Sequence, residues 1–282
     1  MIFNKFKKSN RDFPKNVGVN MTGQLGNQLF GLMVGYAQAK RLYCEVELNF
    51  KNQPNLLQDF NLNQKINFNL SYPEKSFIEF KEKTTHLYDQ DVESVSTGTL
   101  FTGYFQNWKY FSNLTKSEIS SLLTVKSKSN RFVEYENIFN TNNILGIHVR
   151  CYEKSHRSYH GVVPIEYLRK SIDLATRLDS FDEIVVFTDD RSEASVLLSQ
   201  INIEPSEILD NTKLTSASET LLLMSKSRVF IGSNSSYSWW SAFLCEDEGR
   251  YSIFPRPWYR NHENTISSQY LPNWITLGFA DW

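Results

Sequence analysis

The sequence predicts an α/β protein built on a doubly wound parallel sheet, and the clearest signals come from its second half. Short apolar runs alternate there with segments of helical pattern. The expected strands are residues 144–149, 184–188, 207–209, 229–232 and 251–254. Strands and helices that alternate in this way are typical of a parallel sheet covered by helices on both faces.

Helix signals separate these runs. Pro164 lies where a helix is expected to begin, since proline fits the first helical turn. Residues 193–200 form a second helical segment. Ser216 and Glu219 have the spacing of a capping box, and a last helix is expected to run through Trp239. The second half therefore reads as repeated strand–helix units.

The first half gives weaker signals of the same kind. Its expected strands are residues 17–21, 44–50 and 100–105, and its expected helices are residues 27–42 and a segment ending at residue 125. A tight turn from Gly23 to Gly26 joins the first strand to the first helix, and Thr115 with Glu118 forms another capping-box pattern. Residues 51–95, rich in Asn and Lys, give no clear assignment.

Composition limits the classes of protein to consider. The chain has 282 residues, 40% of them apolar, which suits one large α/β domain or two modest ones. A formal net charge of -1 gives no general attraction for nucleic acid. The three cysteines are far apart and show no zinc-binding spacing, which favours a reducing compartment. A polar stretch at residues 140–143 predicts a domain boundary near Asn142.

The sequence favours a cytoplasmic location, with at most peripheral contact at the inner membrane. The first residues contain Lys and Phe but no apolar stretch typical of a signal peptide. No run of about 18 apolar residues predicts a membrane-spanning helix. A frayed polar terminus is favoured over contact with an anionic membrane surface.

Unusual polar residues follow three of the strands expected in the second half. They are His148 and Arg150, Asp189 and Asp190, and Ser233, Asn234, Ser235 and Ser236. Ligands of open parallel sheets bind beyond the carboxyl ends of the strands. There a helix N-terminus attracts an anion, arginine offers a fork to phosphate, and a carboxylate accepts the paired N–H donors of guanine. The set predicts a nucleotide-diphosphate site.

Each of these signals also has a structural interpretation. Asp189 and Asp190 precede a helix, where aspartate commonly serves as an N-cap, and the serine-rich run is also a common cap. Arg150 would then simply pair with a neighbouring carboxylate. It is the convergence of the three clusters on one sheet edge that favours the ligand site.

A histidine pair and a tryptophan are two further candidates for ligand binding, and each also has a structural interpretation. His156 and His160 have i, i+4 spacing, but the segment is rich in Ser, Tyr and Gly and precedes proline, so we expect a loop and no metal site. Trp239 would stack on a sugar or base, or be core, because adjacent helical residues point in different directions.

Seven segments, in order, resemble the motifs of the α-1,2-fucosyltransferases of glycosyltransferase family 11. The segment GQLGNQLF at 23–30 resembles GxLGNQxF, and GYFQNWKYF at 103–111 is similar to GYFQ…KYF. Residues 147–150 resemble the start of HxRRGDY, His160-Gly161 with Tyr167 resembles HG…YY, and FTDD at 187–190 resembles FSDD. NSSYSWWSA at 234–242 resembles NSTFSWWGA, and FPRPW at 254–258 resembles the AP…W segment.

The resemblance implies a GT-B fold, in which two Rossmann-like domains face each other across a cleft. Residues 1–142 would hold the acceptor, residues 143–265 the GDP-sugar, and residues 266–282 would pack back on the N-terminal domain. It implies an inverting transfer from GDP-fucose to a glycan or lipid-linked oligosaccharide, without metal or other cofactor.

The resemblance also assigns roles to residues. The expected catalytic residues are Asn27, His148, Arg150 and Glu153. The donor is expected to contact Arg150, Asp189, Asp190, Ser233, Asn234, Ser235, Ser236 and Trp239 in the second half, and Gly26 and Gln28 in the first. Proton acceptance from the acceptor hydroxyl is assigned to Glu153 or His148.

One segment departs from the family pattern. Cys151 stands at the second arginine of HxRRGDY, and Tyr152-Glu153-Lys154 replaces Gly-Asp-Tyr. Lys154 or Arg157 would have to supply the missing charge. Three hypotheses therefore stand: a GDP-fucose transferase, the same machinery with another GDP-6-deoxyhexose such as GDP-colitose, and a non-catalytic glycan- or nucleotide-binding module.

Overall fold

The fold consists of two parallel β-sheets, each flanked by helices. The structure is a computed structural model, and it describes residues 14–51, 53–62, 66–69, 77–210, 216–245, 249–260 and 269–279. Among these residues, the strands form one five-stranded and one six-stranded sheet. The predicted α/β class with two Rossmann-like sheets is confirmed.

The first sheet is built from the N-terminal half. Its strands are β1 (Val17–Asn20), β2 (Val46–Asn49), β3 (Ile66–Asn69), β4 (Ile78–Lys81) and β5 (Thr99–Thr102). They lie in the order β3-β2-β1-β5-β4, and every pairing is parallel. β1 lies at the centre of this sheet, and the turn that follows it leads into the first helix.

The second sheet contains the five strands that the sequence predicted best and a sixth, at residues 275–278, that it did not predict. They are β6 (Ile144–Val149), β7 (Glu183–Thr188), β8 (Glu207–Leu209), β9 (Val229–Ile231), β10 (Tyr251–Arg256) and β11 (Ile275–Gly278). Their order is β11-β10-β9-β6-β7-β8, again all parallel. The carboxyl ends of β6, β7 and β9 therefore lie at one edge, as the sequence implied.

Helices cover both sheets. They are α1 (Leu25–Leu42), α2 (Lys116–Leu122), α3 (Asn130–Thr141), α4 (Lys154–His160), α5 (Ile165–Leu178), α6 (Arg191–Ser199), α7 (Ala217–Met224) and α8 (Ser236–Leu244). Thr115 and Glu118 form the predicted reciprocal capping box of α2. Ser216 caps α7, but the Glu219 carboxylate binds Ser129 at the start of α3 instead.

Two expectations are corrected by the structure, and a third stays a prediction. The segment 154–160 is the helix α4, not a loop, and Arg157 ties it to Glu193 of α6. The boundary near residue 142 stays a prediction; α3, which lies before it, packs Phe139 on Phe187 of β7. The tail forms β11, which pairs with β10 in the second sheet, so its strand belongs to the C-terminal domain and not to the N-terminal one.

An aromatic cluster joins the two halves. Phe30 of α1 lies 4.7 Å from Trp239 and 5.0 Å from Trp240 of α8, measured between ring centroids. Phe111 stacks on Trp240 at 5.5 Å. Burying large rings is strongly stabilising, so this cluster fixes the amino-terminal ends of α1 and α8 against each other.

No described helix is long and apolar enough to cross a membrane.

Candidate active site

The site lies where the amino-terminal ends of α1 and α8 meet. A Cβ atom at Gly26 would lie 2.6 Å from the backbone of Ser236 and of Tyr237, so glycine permits this contact. The Ser236 hydroxyl donates to Asn27 Oδ1 at 2.8 Å. Two helix N-termini therefore converge, and both carry positive partial charge that suits an anion.

Arg150 supplies the cation at this edge. Its Nη1 atom lies 2.5 Å from Asp189 Oδ2, and its guanidinium lies over the Tyr152 ring at 5.0 Å. Asp189 also accepts the Cys151 N–H at 2.7 Å. Asp189, one of the two carboxylates predicted to contact the donor, thus orients Arg150, whose remaining N–H groups can point at a phosphate.

His148 is hydrogen-bonded to two serine side chains at the start of α8. Its Nδ1 atom is hydrogen-bonded to Ser238 Oγ and lies 3.2 Å from Ser233 Oγ. Burial, together with the nearby Arg150 charge, lowers the pKa of His148 to about 3. The imidazole is therefore neutral and held by hydroxyl groups, an arrangement that favours support of α8 over proton transfer.

Three charged residues around α4 and α6 have distinct positions. Glu153 is exposed at the N-cap of α4 and makes no side-chain cap bond. Asp190 caps α6 by accepting the Glu193 N–H at 3.0 Å, as its structural interpretation predicted. Arg157 Nη2 lies 2.5 Å from Glu193 Oε2, so the Arg157 charge is paired within an ion pair between α4 and α6.

In the serine-rich run, one residue caps α8 and another holds the neighbouring helix α4 in place. Ser235 caps α8 by accepting the Tyr237 N–H at 3.2 Å. The Asn234 side chain donates to the backbone carbonyl of His160 at 2.7 Å, and the backbone carbonyl of Asn234 accepts from the Tyr152 hydroxyl. Asn234 therefore anchors α4 and the loop before it.

Two residues predicted to contact the donor are engaged within the protein. Gln28 is fully buried; its amide donates to the carbonyls of Gly23 and Pro54, and its oxygen accepts the Leu56 N–H. Trp239 stacks on Phe243 at 5.1 Å and is core, the second of the two alternatives. Both shape the site by holding its walls.

The sequence did not predict the contact that Gln106 makes with Asn27, nor a hydrogen bond between His86 and Tyr259 that joins the two halves. Gln106 Nε2 donates to Asn27 Oδ1 at 2.7 Å. His86 Nε2 is hydrogen-bonded to the Tyr259 hydroxyl, and burial lowers the pKa of His86 to about 4. Gln106 lies within the GYFQ-like segment, so that motif was the signal that could have revealed it.

Cys151 does not face the diphosphate region. It is 1% exposed, and its Sγ atom lies 3.8 Å from Thr188 Oγ1. Burial raises the pKa of the thiol to about 12. The position of the family's second arginine is thus internal here, and only its backbone N–H takes part, through Asp189.

The described residues contain no cluster of three or more His, Cys, Asp or Glu side chains that could hold a metal ion. A small cavity of about 10 Å³ adjoins the meeting point of the helices; its wall includes His86, Gln106 and Ser236. A larger cavity of about 320 Å³ lies elsewhere, beside α2, α3 and α7.

Comparisons with known proteins agree with this architecture. An Escherichia coli alpha-1,2-colitosyltransferase is 22% identical over 290 residues, covering 93% of this chain and 98% of that protein. The E. coli O-antigen biosynthesis glycosyltransferase WbnK is 32% identical over 120 residues, which span 42% of this chain and only 38% of WbnK.

Solved structures share the fold at low identity. Fucosyltransferase NodZ from Bradyrhizobium superposes with a TM-score of 0.51 at 14% identity, covering 82% of this chain and 93% of NodZ. E. coli ADP-heptose LPS heptosyltransferase II gives a TM-score of 0.54 at 10% identity, covering 93% and 90%. The fold is GT-B. A family model described as Glycosyl transferase family 11 matches residues 2–278, and the chain belongs to that glycosyltransferase family.

Proposed function

We propose that this protein transfers L-fucose from GDP-β-L-fucose to a glycan hydroxyl, with inversion and formation of an α-1,2 linkage. The acceptor would be a galactose-containing saccharide of a surface polysaccharide. Membership in family 11, and the O-antigen role named for WbnK, support this assignment.

The observation that carries the proposal is the convergence of three anion-binding features. Arg150 is oriented by Asp189 with donors to spare, the N-terminus of α8 is held by buried hydroxyls, and Asn27 faces α8 from the other domain. Such fixed donors stabilise a departing diphosphate without needing to reorganise during the reaction.

The reaction would break the bond between the sugar C1 and the β-phosphate oxygen while the acceptor oxygen attacks C1 from the opposite face. The electron pair of the broken bond stays with GDP, and Arg150 stabilises the charge that gathers there. The acceptor hydroxyl loses its proton late. Glu153 is exposed at the start of α4 and is our candidate acceptor for it, since His148 is buried and bonded to hydroxyls.

A second donor has specific support. The relative that aligns over nearly the whole chain is named a colitosyltransferase. Colitose is also a 6-deoxyhexose carried on GDP, so the diphosphate site would serve either sugar. The choice between the two donors therefore depends on groups that contact the sugar ring.

Product analysis tests the donor directly. Purified protein would be incubated with GDP-fucose, GDP-colitose or GDP-mannose and with galactose-terminated acceptors, and products identified by mass spectrometry and NMR linkage analysis. We expect fucose in α-1,2 linkage. Colitose transfer alone supports the second donor, whereas GDP binding without any transfer would support a non-catalytic module.

Metal independence is tested in the same assay. The proposed diphosphate site is built from a guanidinium and helix N–H groups, so turnover should persist in excess EDTA. Loss of activity on chelation, restored by Mn²⁺ or Mg²⁺, would contradict this.

A further inference from the structure

The two polar atoms of the Asn27 side chain differ: among the described residues the oxygen accepts two hydrogen bonds and the amide nitrogen makes none. Asn27 Oδ1 accepts from Gln106 Nε2 at 2.7 Å and from Ser236 Oγ at 2.8 Å. A carbonyl oxygen has two lone pairs, so both are used. In the described part of the chain, Asn27 Nδ2 has no hydrogen-bond partner, and it lies against Gly23, where a Cβ atom would be only 2.4 Å away.

The two donors to Asn27 differ in what else they can do. Ser236 is the first residue of α8, so its hydroxyl can turn to an arriving phosphate. Gln106 comes from the N-terminal domain and lies in the loop after β5. If Ser236 turns to a bound phosphate, Gln106 is left as the group that donates to the Asn27 oxygen.

Gln106 is itself firmly placed. The Glu82 carboxylate accepts the N–H groups of Tyr104 at 2.8 Å and Phe105 at 3.1 Å, immediately before Gln106. Phe105 is fully buried and packs edge-to-face on Tyr110 at 5.2 Å. The loop is thus fixed by a carboxylate on one side and aromatic packing on the other.

We infer that Gln106 is a positioning residue for glycosyl transfer: its amide holds the Asn27 carbonyl and so keeps the Asn27 NH₂ group turned toward the leaving diphosphate. This inference rests on the proposed function, because it needs a charge that develops on GDP. An amide NH₂ stabilises that charge, whereas an amide oxygen in the same place repels it.

Gln106→Glu inverts the interaction without shortening the side chain. A carboxylate cannot donate to Asn27 Oδ1, so the Asn27 amide should rotate to donate its NH₂ to the carboxylate and present its oxygen to the diphosphate. We expect kcat at about pH 8 to fall about 10²-fold, the loss typical of one such donor, with a smaller change in KM for the GDP-sugar.

The pH dependence separates this role from a structural one. A protonated carboxylic acid donates a hydrogen bond, so acidification should return Asn27 to its original orientation. The new carboxyl has an ordinary pKa of about 4.3, which partial burial raises. The ratio of variant to wild-type kcat should therefore rise about tenfold between about pH 8 and pH 5.

Two matched variants serve as controls. Gln38→Glu makes the same chemical change in α1, where the side-chain oxygen accepts from Arg41 at 2.7 Å, and it should leave the kcat ratio close to one at every pH. Gln106→Met removes the donor with little change in length; its loss in kcat should be independent of pH. If thermal melting shows Gln106→Glu to be unfolded, Gln106→Met takes its place in the test.

A double-mutant cycle completes the test. In an Asn27→Ala background, replacing Gln106 should cost almost nothing more, because the group it positions is gone. A loss in kcat below about threefold for both Gln106 variants, a pH-independent ratio for Gln106→Glu, or additive losses with Asn27→Ala would overturn the inference. If wild-type protein transfers no sugar from any GDP-sugar, the proposed function itself fails; if wild type is active and these variants match it, only the role of Gln106 fails.

Discussion

The amino-terminal ends of α1 and α8 meet between the two sheets, but their first N–H groups are satisfied differently. At α8, the Ser235 hydroxyl accepts the Tyr237 N–H, while among the described residues the N–H groups of Ser236 and Ser238 have no hydrogen-bond partner. At α1, Gln24 makes no side-chain cap bond, and within the described residues the N–H groups of Leu25 and Gly26 have no hydrogen-bond partner. The α8 end has a side-chain cap and the α1 end has none, although both leave N–H groups for a ligand.

This difference separates stability from catalysis. A helix end that is capped by the protein contributes to stability whether or not a ligand is present. An uncapped end sacrifices those bonds in the free protein and gains them when an anion arrives. Variants at the two ends should therefore change different measured quantities.

Arg150→Ala should have the largest effect on activity. If Arg150 stabilises charge gathering on GDP, its loss should lower kcat about 10²–10³-fold and raise KM less. Arg150→Lys keeps a charge but lacks the bidentate fork and should recover part of the loss. The measurement is kcat for folded protein. A value within about threefold of wild type would mean that Arg150 only pairs with Asp189.

Acid should weaken the α8 end through His148. The unfolded chain binds this proton near pH 6.5, whereas burial lowers the pKa of folded His148 to about 3. The free energy of unfolding should therefore be highest above about pH 6.5 and fall as the pH drops toward 3, by up to about 1.4 kcal/mol per pH unit for one such group.

His148→Gln provides the comparison. It should unfold more easily at about pH 7.5, because the hydroxyl network is disturbed, but lose less stability than wild type on acidification. Urea unfolding at several pH values measures both. Equal pH slopes for the two proteins would show that His148 does not hold its low pKa in the folded state.

Most of the second sheet was predictable because its strands are buried on both faces. All six residues of β6 are buried, and a central parallel strand then reads as a continuous apolar run. In contrast, β4 is an edge strand with three of its four residues exposed, and it lies in the stretch that gave no assignment. Its short alternating pattern carries little signal.

The helix α4 could not be predicted from periodicity. None of its seven residues is buried, so it has no apolar face. It is held instead by Arg157, which bonds Glu193 of α6, and by Asn234, which bonds the carbonyl of His160. Contacts between distant segments do not appear as a local pattern in the sequence.

The sequence predicted which candidate residues lie at one sheet edge, but not which of them contact each other. The sheet-edge argument brought Arg150 and Asp189 together correctly. It could not show that Asp189 is the partner of Arg150, because pairing depends on side-chain geometry across neighbouring strands. The same limit applies to Gln106, which contacts Asn27 across 79 residues of sequence.

Gly26→Ala should affect the amino-terminal ends of both α1 and α8. In an isolated helix alanine is more stable than glycine by about 1 kcal/mol. Here the added Cβ would lie 2.6 Å from the backbone of Ser236 and Tyr237, atoms that cannot move aside as a flexible side chain would. We therefore expect a loss of about 1–3 kcal/mol in the free energy of unfolding, the range typical of overpacking, together with lower activity.

Gly31→Ala in the same helix is the matched control. Its added Cβ would make ordinary contacts of 3.5 Å with Met21 and Val19. Helix propensity should then dominate and leave stability unchanged or slightly higher. If Gly26→Ala is as stable as Gly31→Ala, the two helix ends are not in the close contact described here.

The adjacent residues Ser235 and Ser236 give the smallest and most selective test. Ser235→Ala removes the cap of α8, so the free energy of unfolding should fall by about 1 kcal/mol, with kcat nearly unchanged. Ser236→Ala removes no cap, but it deletes the hydroxyl that donates to Asn27 and that can turn to phosphate. Its stability should change less, and its kcat or KM for the GDP-sugar more. Thermal melting and steady-state kinetics on both variants measure this separation. If Ser235→Ala instead loses activity without losing stability, the Ser235 hydroxyl acts on the ligand and not as a cap, and the contrast with α1 disappears.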